Sequence, residues 1–306
     1  MTSLKGLVRA AHASSNLIVT SPHYDWMERL EHEKRPNKTA LLHAIKALMG
    51  GYKHERPGRF SPSAIGNPFV PCNRAVLFGY AGAPQLAPDI EAAEMMDHGS
   101  IDHIKWQMEG LTMGYMLEPE VWVYDDDLLC GGSMDGVLED ESIMELKTAN
   151  TFSYNRVVTR DNEVKFETLI QIGIYMLLSG RTWASVVMED RGGGQFHEFR
   201  VQMSADIEKE IYRRLKLLKA YMETDELPPM LDMCEQHMGS IYKMCSYRKI
   251  CPLMKSVTSA QNLASSAALE GPGMGRDDLG RLVPEEEIIP TWAESILSYI
   301  ATLEES

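Results

Sequence analysis

The feature that most limits what this chain can become is a run of three short strand-like segments followed by one apolar helix. Glu120 to Tyr124 alternates apolar and polar residues, and Asp125-Asp126-Asp127 reads as a turn. Leu129 to Leu138 predicts a second strand, Glu139 to Glu141 a second turn, and Ser142 to Thr148 a third strand. Val164 to Ser179 is strongly apolar and closes on Gly180, which predicts a core helix. Trp183 to Glu189 and Gln195 to Gln202 predict a hairpin around Arg191-Gly192-Gly193-Gly194, and Ser204 caps a long helix running to about Met222. Strands set before and after a buried helix predict an α/β fold.

Upstream, residues 1–58 read as a polar, helical segment. Asn37 is the expected N-cap of a helix from Lys38 to Met49, and Gly50-Gly51 its stop. A new unit begins at Phe60. Ser61-Pro62 opens a short helix that Asn67-Pro68 and Pro71 break, and Cys72 to Tyr80 reads as the next. Glu91 to Gly110 predicts a longer helix on which His103 and Gln107 share a face. Ser256 to Gly275, rich in Ser, Ala and Gly, reads as a linker, and Pro290 to Leu303 as one short amphipathic helix. The expected division is an N-terminal segment 1–58, a core 59–255, and a linker with an acidic tail 256–306.

Hydrophobic residues make up 44% of the 306 and charged residues 24%, enough for a folded core. No stretch approaches the roughly 20 apolar residues of a membrane-spanning helix, and Met1 to Ser21 lacks the apolar run of a signal peptide. Five cysteines, an odd number in a long chain, argue against a secreted disulfide framework and for a reducing cytoplasm. A net charge of −14 weighs against nucleic acid until its distribution is read. From Glu270 to Ser306 nine acids face two bases, so half of the net charge lies in the tail. Ile241 to Lys255, by contrast, holds Lys243, Arg248, Lys249 and Lys255 and no acid, and could meet a polyanion.

The strongest chemical signal is Gly132-Ser-Met-Asp135-Gly136 followed by Glu145-Leu-Lys147-Thr148. Asp135 and Glu145 lie on consecutive strands around a short turn, and Glu145 and Lys147, two apart, emerge on one face. Carboxylates gathered at one spot repel unless a cation separates them, and hard oxygen donors select Mg²⁺ or Mn²⁺. A lysine beside that cation could orient a water or neutralise charge growing on a phosphate. The plain alternative is a hairpin with solvated charges. His103 could add an imidazole, the Leu146 carbonyl a further oxygen, and Gln171, a polar intruder on the apolar helix with Tyr175 one turn on, needs a partner. Among the cysteines, Cys72, Cys234, Cys245 and Cys251 form the set that would suit a [4Fe–4S] cluster or a structural Zn²⁺, with His237 as a substitute ligand and Cys130 as a small buried residue. Unconnected buried thiols are the alternative.

Taken in order, Ser61-x-Ser63, Cys72-x-Arg74, Gly99-x-x-x-His103, Gly132-x-x-Asp135-Gly136, Glu145-x-Lys147-Thr148, Gln171-x-x-x-Tyr175 and the late cysteines resemble the RecB-like branch of the PD-(D/E)XK nucleases. The chain looks most like the compact iron–sulfur exonucleases of CRISPR adaptation modules and related phage enzymes, over about Phe60 to Pro252. Met134 stands where the family name has Pro, and the Cys234–Cys245 gap is longer than usual. The resemblance implies a restriction-endonuclease-like core, a central mixed sheet flanked by helices, with a helical Cys-ligated cluster region. It implies a metal-dependent exonuclease of DNA in recombination, repair or phage DNA processing, in the cytoplasm or a host's cytoplasm. His103, Asp135, Glu145 and the Leu146 carbonyl would hold Mg²⁺ or Mn²⁺. Lys147 would be the catalytic lysine, and Gln171 and Tyr175 would place the scissile phosphate. Cys72, Cys234, Cys245 and Cys251 would hold a [4Fe–4S] cluster. Ser63, Arg74, Lys243, Arg248 and Lys249 are candidates for backbone phosphates, ordinary surface charge being the alternative. The acidic tail reads as a solvating segment, with docking of a single-strand-binding or recombination partner, or competition with DNA, as its functional alternatives. Ring-shaped relatives leave oligomerisation open. The runner-up function is a non-catalytic DNA-end-binding or scaffold protein of the same fold.

Overall fold

The computed structural model describes residues 17–23, 37–51, 58–66, 72–268, 274–276 and 282–284. Its centre is a five-stranded sheet in the spatial order β1 (Met116–Asp125), β2 (Cys130–Leu138), β3 (Ile143–Ala149), β4 (Trp183–Asp190) and β5 (Phe196–Gln202). Short turns join β1 to β2, β2 to β3 and β4 to β5, so these pairs run antiparallel, while β3 and β4 are parallel. A parallel pair needs a crossover, and residues 150–182 supply it with a short helix α5 (Thr151–Asn155), a π-helical turn Arg156–Asp161 and the apolar helix α6 (Phe166–Ser179). The sequence showed α6 but neither α5 nor the π turn. The fold is thus α/β with a mixed sheet flanked by helices.

Helices cover both sheet faces, which is why the first four residues of β3, Glu145 among them, are buried. Ile143 and Val186 pack with Leu169, Ile170 and Ile174 of α6, and Met144, Leu146 and Val187 pack on the other side with Trp106 and Tyr115. Trp106 belongs to α4 (Ile90–Met113), capped by Asp89. The long helix α7 (Ala205–Glu223), capped by Ser204, buries Ile207, Ile211, Leu215 and Leu218 at helical spacing. It lies close to α6 because Gly173 has no side chain: a Cβ there would sit 2.8 Å from Ile211 and 2.9 Å from Ile207.

Helix α2 (Pro62–Gly66) meets α6 still more tightly, a Cβ on Gly66 falling 2.5 Å from the Glu167 carbonyl oxygen. Backbone cannot yield as a flexible side chain can. Gly66→Ala is therefore expected to lower the unfolding free energy by about 1–3 kcal/mol in denaturant titration. A second tie crosses the same junction. Arg214 donates to the Ile65 carbonyl at 2.8 Å and to Glu210 at 2.8 Å, while Arg213 binds Glu210 at 2.7 Å. The Arg213 hydrogen bond, with Arg214 behind it, brings the Glu210 pKa down from 4.5 to about 2. A depressed carboxylate stabilises fully above its unfolded value and ceases to do so as pH falls through the folded one. The stability gap between the parent and Glu210→Gln should accordingly close between pH 4.5 and 2, as read by urea unfolding across that range.

Two sequence expectations change here. The described parts of the N-terminal segment do not stand apart from the core. Val19 is fully buried beside Trp106, and the Glu198 carboxylate on β5 accepts the amides of Ile18, Val19 and Thr20 at 3.1, 3.0 and 2.9 Å. Helix α1 (Lys38–Gly51), capped by Asn37 as expected, packs Ala44 and Ile45 against Ile104 of α4. The second correction is the linker, whose first half is helix α10 (Val257–Ala268) packed on α3 (Asn73–Ala81). Ser256 Oγ accepts the Ser259 amide while Ser259 Oγ accepts the Ser256 amide, a reciprocal cap. Val257 and Ala260 are buried, and alanine is the best helix former, so a Ser/Ala-rich stretch had the means to fold. Of the remaining tail, Met274–Arg276 and Leu282–Pro284 pair antiparallel. The amphipathic helix predicted over Pro290 to Leu303 lies outside the described residues.

Candidate active site

The site forms where the β2–β3 ladder opens. Regular pairing ends at Gly136 opposite Met144. Beyond it the Asp135 carbonyl accepts from Gln107 on α4 at 2.9 Å, and the Leu146 amide donates to Asp135 Oδ2 at 2.6 Å. Side chains thus satisfy backbone groups that the ladder would otherwise hold, as buried polar groups require. On the other edge of β2, Pro119 faces Gly136 and Val121 faces Met134, which sets Glu120 across from Asp135. Glu120 takes a positive φ of 51°, unusual for a residue with a side chain. One of its oxygens accepts from Gln107 at 2.8 Å and the other from Ser133 at 2.8 Å.

His103 approaches from α4, its Nδ1 3.4 Å from Asp135 Oδ1. One ligand atom each from His103, Glu120 and Asp135 lies within 4.8 Å of the others, a spacing fit for one cation. Glu145 stands beside them on β3, fully buried. Its Oε1 meets Lys147 Nζ at 2.6 Å and Gln171 Nε2 at 2.8 Å, and Gln171 Oε1 accepts from Lys147 at 3.2 Å. Glu145 Oε2 is buried with no hydrogen-bond partner. A buried carboxylate oxygen without a partner, beside other carboxylates, is chemically suited to a hard cation. Gln171 has therefore found the partner its burial required, and Tyr175 hydrogen-bonds with it from the next turn of α6.

The electrostatics describe a negative pocket held together by neighbours. Burial opposes ionisation of Asp135, but His103, Lys147 and the Leu146 amide outweigh it and keep its pKa below the ordinary value. Burial pushes Glu145 up to about 7, with Lys147 resisting and Asp135 adding to the rise. Glu120 is raised by burial and then by Asp135. Burial alone would lower His103, yet Asp135, Glu120 and Glu145 carry it up to about 9. Lys147 likewise rises against burial because Glu145 and Asp135 face it, so it stands as an ammonium at neutral pH.

Sequence reading named His103, Asp135, Glu145, Lys147, Gln171 and Tyr175, and these gather. For Leu146 the recorded contact is its amide, on Asp135. Glu120 was missed. Its only sequence signal is register, an acid on the first strand at the height of Asp135. Two clefts reach the cluster. One of about 390 Å³ is lined by Lys147, Gln171, Glu167 and Lys165, the other of about 500 Å³ by Ser133, Tyr175, Trp122 and Arg59. Ser63 lies on both walls, its hydroxyl 2.9 Å from that of Ser61.

The cysteines gather elsewhere. Cys72 caps α3, Cys234 lies in α8 (Asp232–Glu235), Cys245 follows α9 (Gly239–Met244), and Cys251 opens a 3₁₀ turn, all four lining one small cavity with Phe78 and Tyr247. No three of these sulfurs lie within 4.8 Å of one another. Zinc bonds of about 2.3 Å would draw four sulfurs to roughly 3.8 Å. A cubane takes its thiolates at four separate irons and needs them farther apart. His237 instead stacks on Tyr242, 5.0 Å between ring centres, and Cys130 is fully buried in the sheet, where burial pushes its thiol up to about 12. Arg74 departs from its expected place on DNA. It is buried, donating to the carbonyls of Pro228, Cys251 and Met254 and to Cys251 Sγ at 3.3 Å, so it braces the cysteine region. Arg248 reaches the Cys245 carbonyl at 3.1 Å, and Lys243 and Lys249 are exposed nearby.

No protein-family model matches the chain, and no curated protein matches it. Among solved structures, it is similar to an alkaline exonuclease from Laribacter hongkongensis, with 18% identity, a TM-score of 0.44, and 55% of this chain and 90% of that one covered. That enzyme has also been solved in complex with dAMP. A phage-related exonuclease from Haemophilus somnus 129PT matches at 13% identity and a TM-score of 0.31, covering 72% of this chain and 91% of that one.

Proposed function

We propose that this chain is a metal-dependent deoxyribonuclease that hydrolyses DNA phosphodiesters from an end. The observation that carries the reading is the stranded Glu145 Oε2, buried among Asp135, His103 and Lys147 where a hard dication would complete the set. His103, Glu120, Asp135 and Glu145 are the residues that would hold Mg²⁺ or Mn²⁺. Bound there, such an ion supplies Lewis acidity toward a phosphate and a more acidic water. Lys147, already an ammonium, places positive charge where the attacked phosphate gains negative charge. Gln171 fixes Glu145 and Lys147 relative to each other, and Tyr175 keeps its hydroxyl proton as a donor. Action from an end, rather than within a strand, follows the iron–sulfur exonuclease resemblance. The four gathered cysteines would hold a [4Fe–4S] cluster, with a structural zinc as the alternative.

The test is digestion of end-labelled linear DNA and covalently closed circles with Mg²⁺ or Mn²⁺. Linear DNA should shorten from its ends, circles should survive, and chelation should stop the reaction. Intact linear DNA with every divalent ion tried would overturn the reading and leave a DNA-binding scaffold.

A further inference from the structure

One polar side chain beside the carboxylates has no part in the chemistry described so far. Gln107 lies on α4 one turn after His103, on the same face, and is 1% exposed. Its Nε2 donates to acceptors on two strands, Glu120 Oε1 on β1 at 2.8 Å and the Asp135 carbonyl on β2 at 2.9 Å. Its own Oε1 is buried with no hydrogen-bond partner among the described residues. Turning the amide over would set that oxygen against two other acceptors, so Glu120 and Asp135 dictate its orientation and leave the oxygen orphaned. An amide that merely filled the core would be expected to satisfy both of its ends. Glu120 stands at a φ of 51° with both oxygens held, the second by Ser133 at 2.8 Å. The stretch of α4 that carries His103 and Gln107 is itself tied to the end of β4 and the turn after it. Trp106 and Lys105 donate to the two oxygens of Glu189 at 2.6 and 2.8 Å, and Arg191 donates to Asp102 at 3.0 Å.

Resting on the metal-site reading, we propose that Gln107 is a positioning residue, which holds the Glu120 carboxylate at a set distance from His103 and so prepares both for one cation. His103 and Gln107 keep their spacing because one turn of helix joins them, and the Gln107 amide carries that placement across to β1. Left to itself, Glu120 would rotate about its side-chain bonds and lose that freedom when a cation bound. Held at both oxygens, it has lost the freedom beforehand. Each carboxylate oxygen has room for a second partner after one hydrogen bond, so the hold does not block a ligand. The neutral amide is also the apt group at this point. A glutamate at 107 would face the Glu120 carboxylate and the Asp135 carbonyl with acceptors alone, and a lysine would add a charge that competes with the cation. One nitrogen with two hydrogens binds both strands and leaves the negative charge for the metal.

The experiment titrates the full chain with Mn²⁺ alone, without DNA, following the electron paramagnetic resonance signal of the free ion. Cleavage of linear DNA is then read against Mn²⁺ concentration. Gln107→Met keeps the length and loses the donors, and should weaken Mn²⁺ binding about tenfold. Half-maximal cleavage should need about tenfold more Mn²⁺, while the rate at saturating Mn²⁺ stays within about threefold of the parent's. Glu120→Gln should weaken binding at least as much. Adding Gln107→Met to it should weaken binding no further, because the carboxylate that Gln107 holds is already gone. A merely structural role would lower the affinity by the same factor in both backgrounds. That result, or parental Mn²⁺ binding by Gln107→Met, would overturn the proposal. Should Gln107→Met fail to melt cooperatively, Gln107→Asn takes its place with the same outcomes, since it keeps a buried amide one methylene too short to reach both acceptors. The two readings fail separately. A parent that binds Mn²⁺ but leaves linear DNA intact sinks the nuclease and keeps the role of Gln107. A parent that cleaves, with an unchanged Mn²⁺ dependence in Gln107→Met, sinks the role of Gln107 alone.

Discussion

Lys147→Ala is expected to reduce Mn²⁺-dependent cleavage of linear DNA by about 10²–10³-fold while the protein still melts cooperatively, because one charged contact to a developing anion has that worth in a dry site. The variant has a second consequence that makes it diagnostic. Lys147 is the charge that resists the upward push of burial on Glu145. Without it only Gln171 remains on Glu145 Oε1, and the carboxylate should hold its proton to higher pH. The residual cleavage should therefore reach its maximum at higher pH than the parent's, as read from a pH–rate profile. Lys147→Arg keeps the charge and should restore the pH optimum more fully than the rate, since the guanidinium fork cannot sit where one ammonium bridges Glu145 and Gln171. Full cleavage by Lys147→Ala would remove this lysine from the chemistry.

The next largest effect is expected at the cysteines. Cys251→Ser should abolish visible iron–sulfur absorbance, release the iron, and lower the thermal midpoint by about 10 °C, the change that roughly 3–5 kcal/mol makes in a domain of this size. The physical ground is loop closure. Cys72 precedes the whole sheet and Cys251 follows it, so a shared cluster pins the ends of a long excursion. Arg74 would be disturbed too, because it binds both the Cys251 sulfur and its carbonyl. Cys130→Ser serves as the control. It sits in the sheet core away from the other four and should change neither iron content nor colour. Stoichiometric zinc in the parent, with no iron, would replace the cluster by a structural zinc site.

How much of this was legible beforehand can be judged at particular residues. The strands around Asp135 and Glu145 and the helix carrying Gln171 were readable because turns, periodicity and caps are local. The helix over Val257–Ala268 was not, since its Ser and Ala residues fit a linker as well, and only the surface of α3 rewards burying Val257 and Ala260. Arg74 looked like a phosphate ligand because a sequence cannot say that three carbonyls converge on it.

By itself, the sequence determined that Glu145 and Lys147 share a face, that His103 and Gln107 share another, and that Asp135 lies one turn away. These follow from the periods of strand and helix, which every chain obeys. Tertiary structure alone decided that the β2–β3 ladder opens at Asp135, that Glu120 arrives from β1 at the same height, and that one Glu145 oxygen is left without a partner. Those depend on which backbone groups lose their neighbours when separate elements meet, and that balance exists only in the assembled fold.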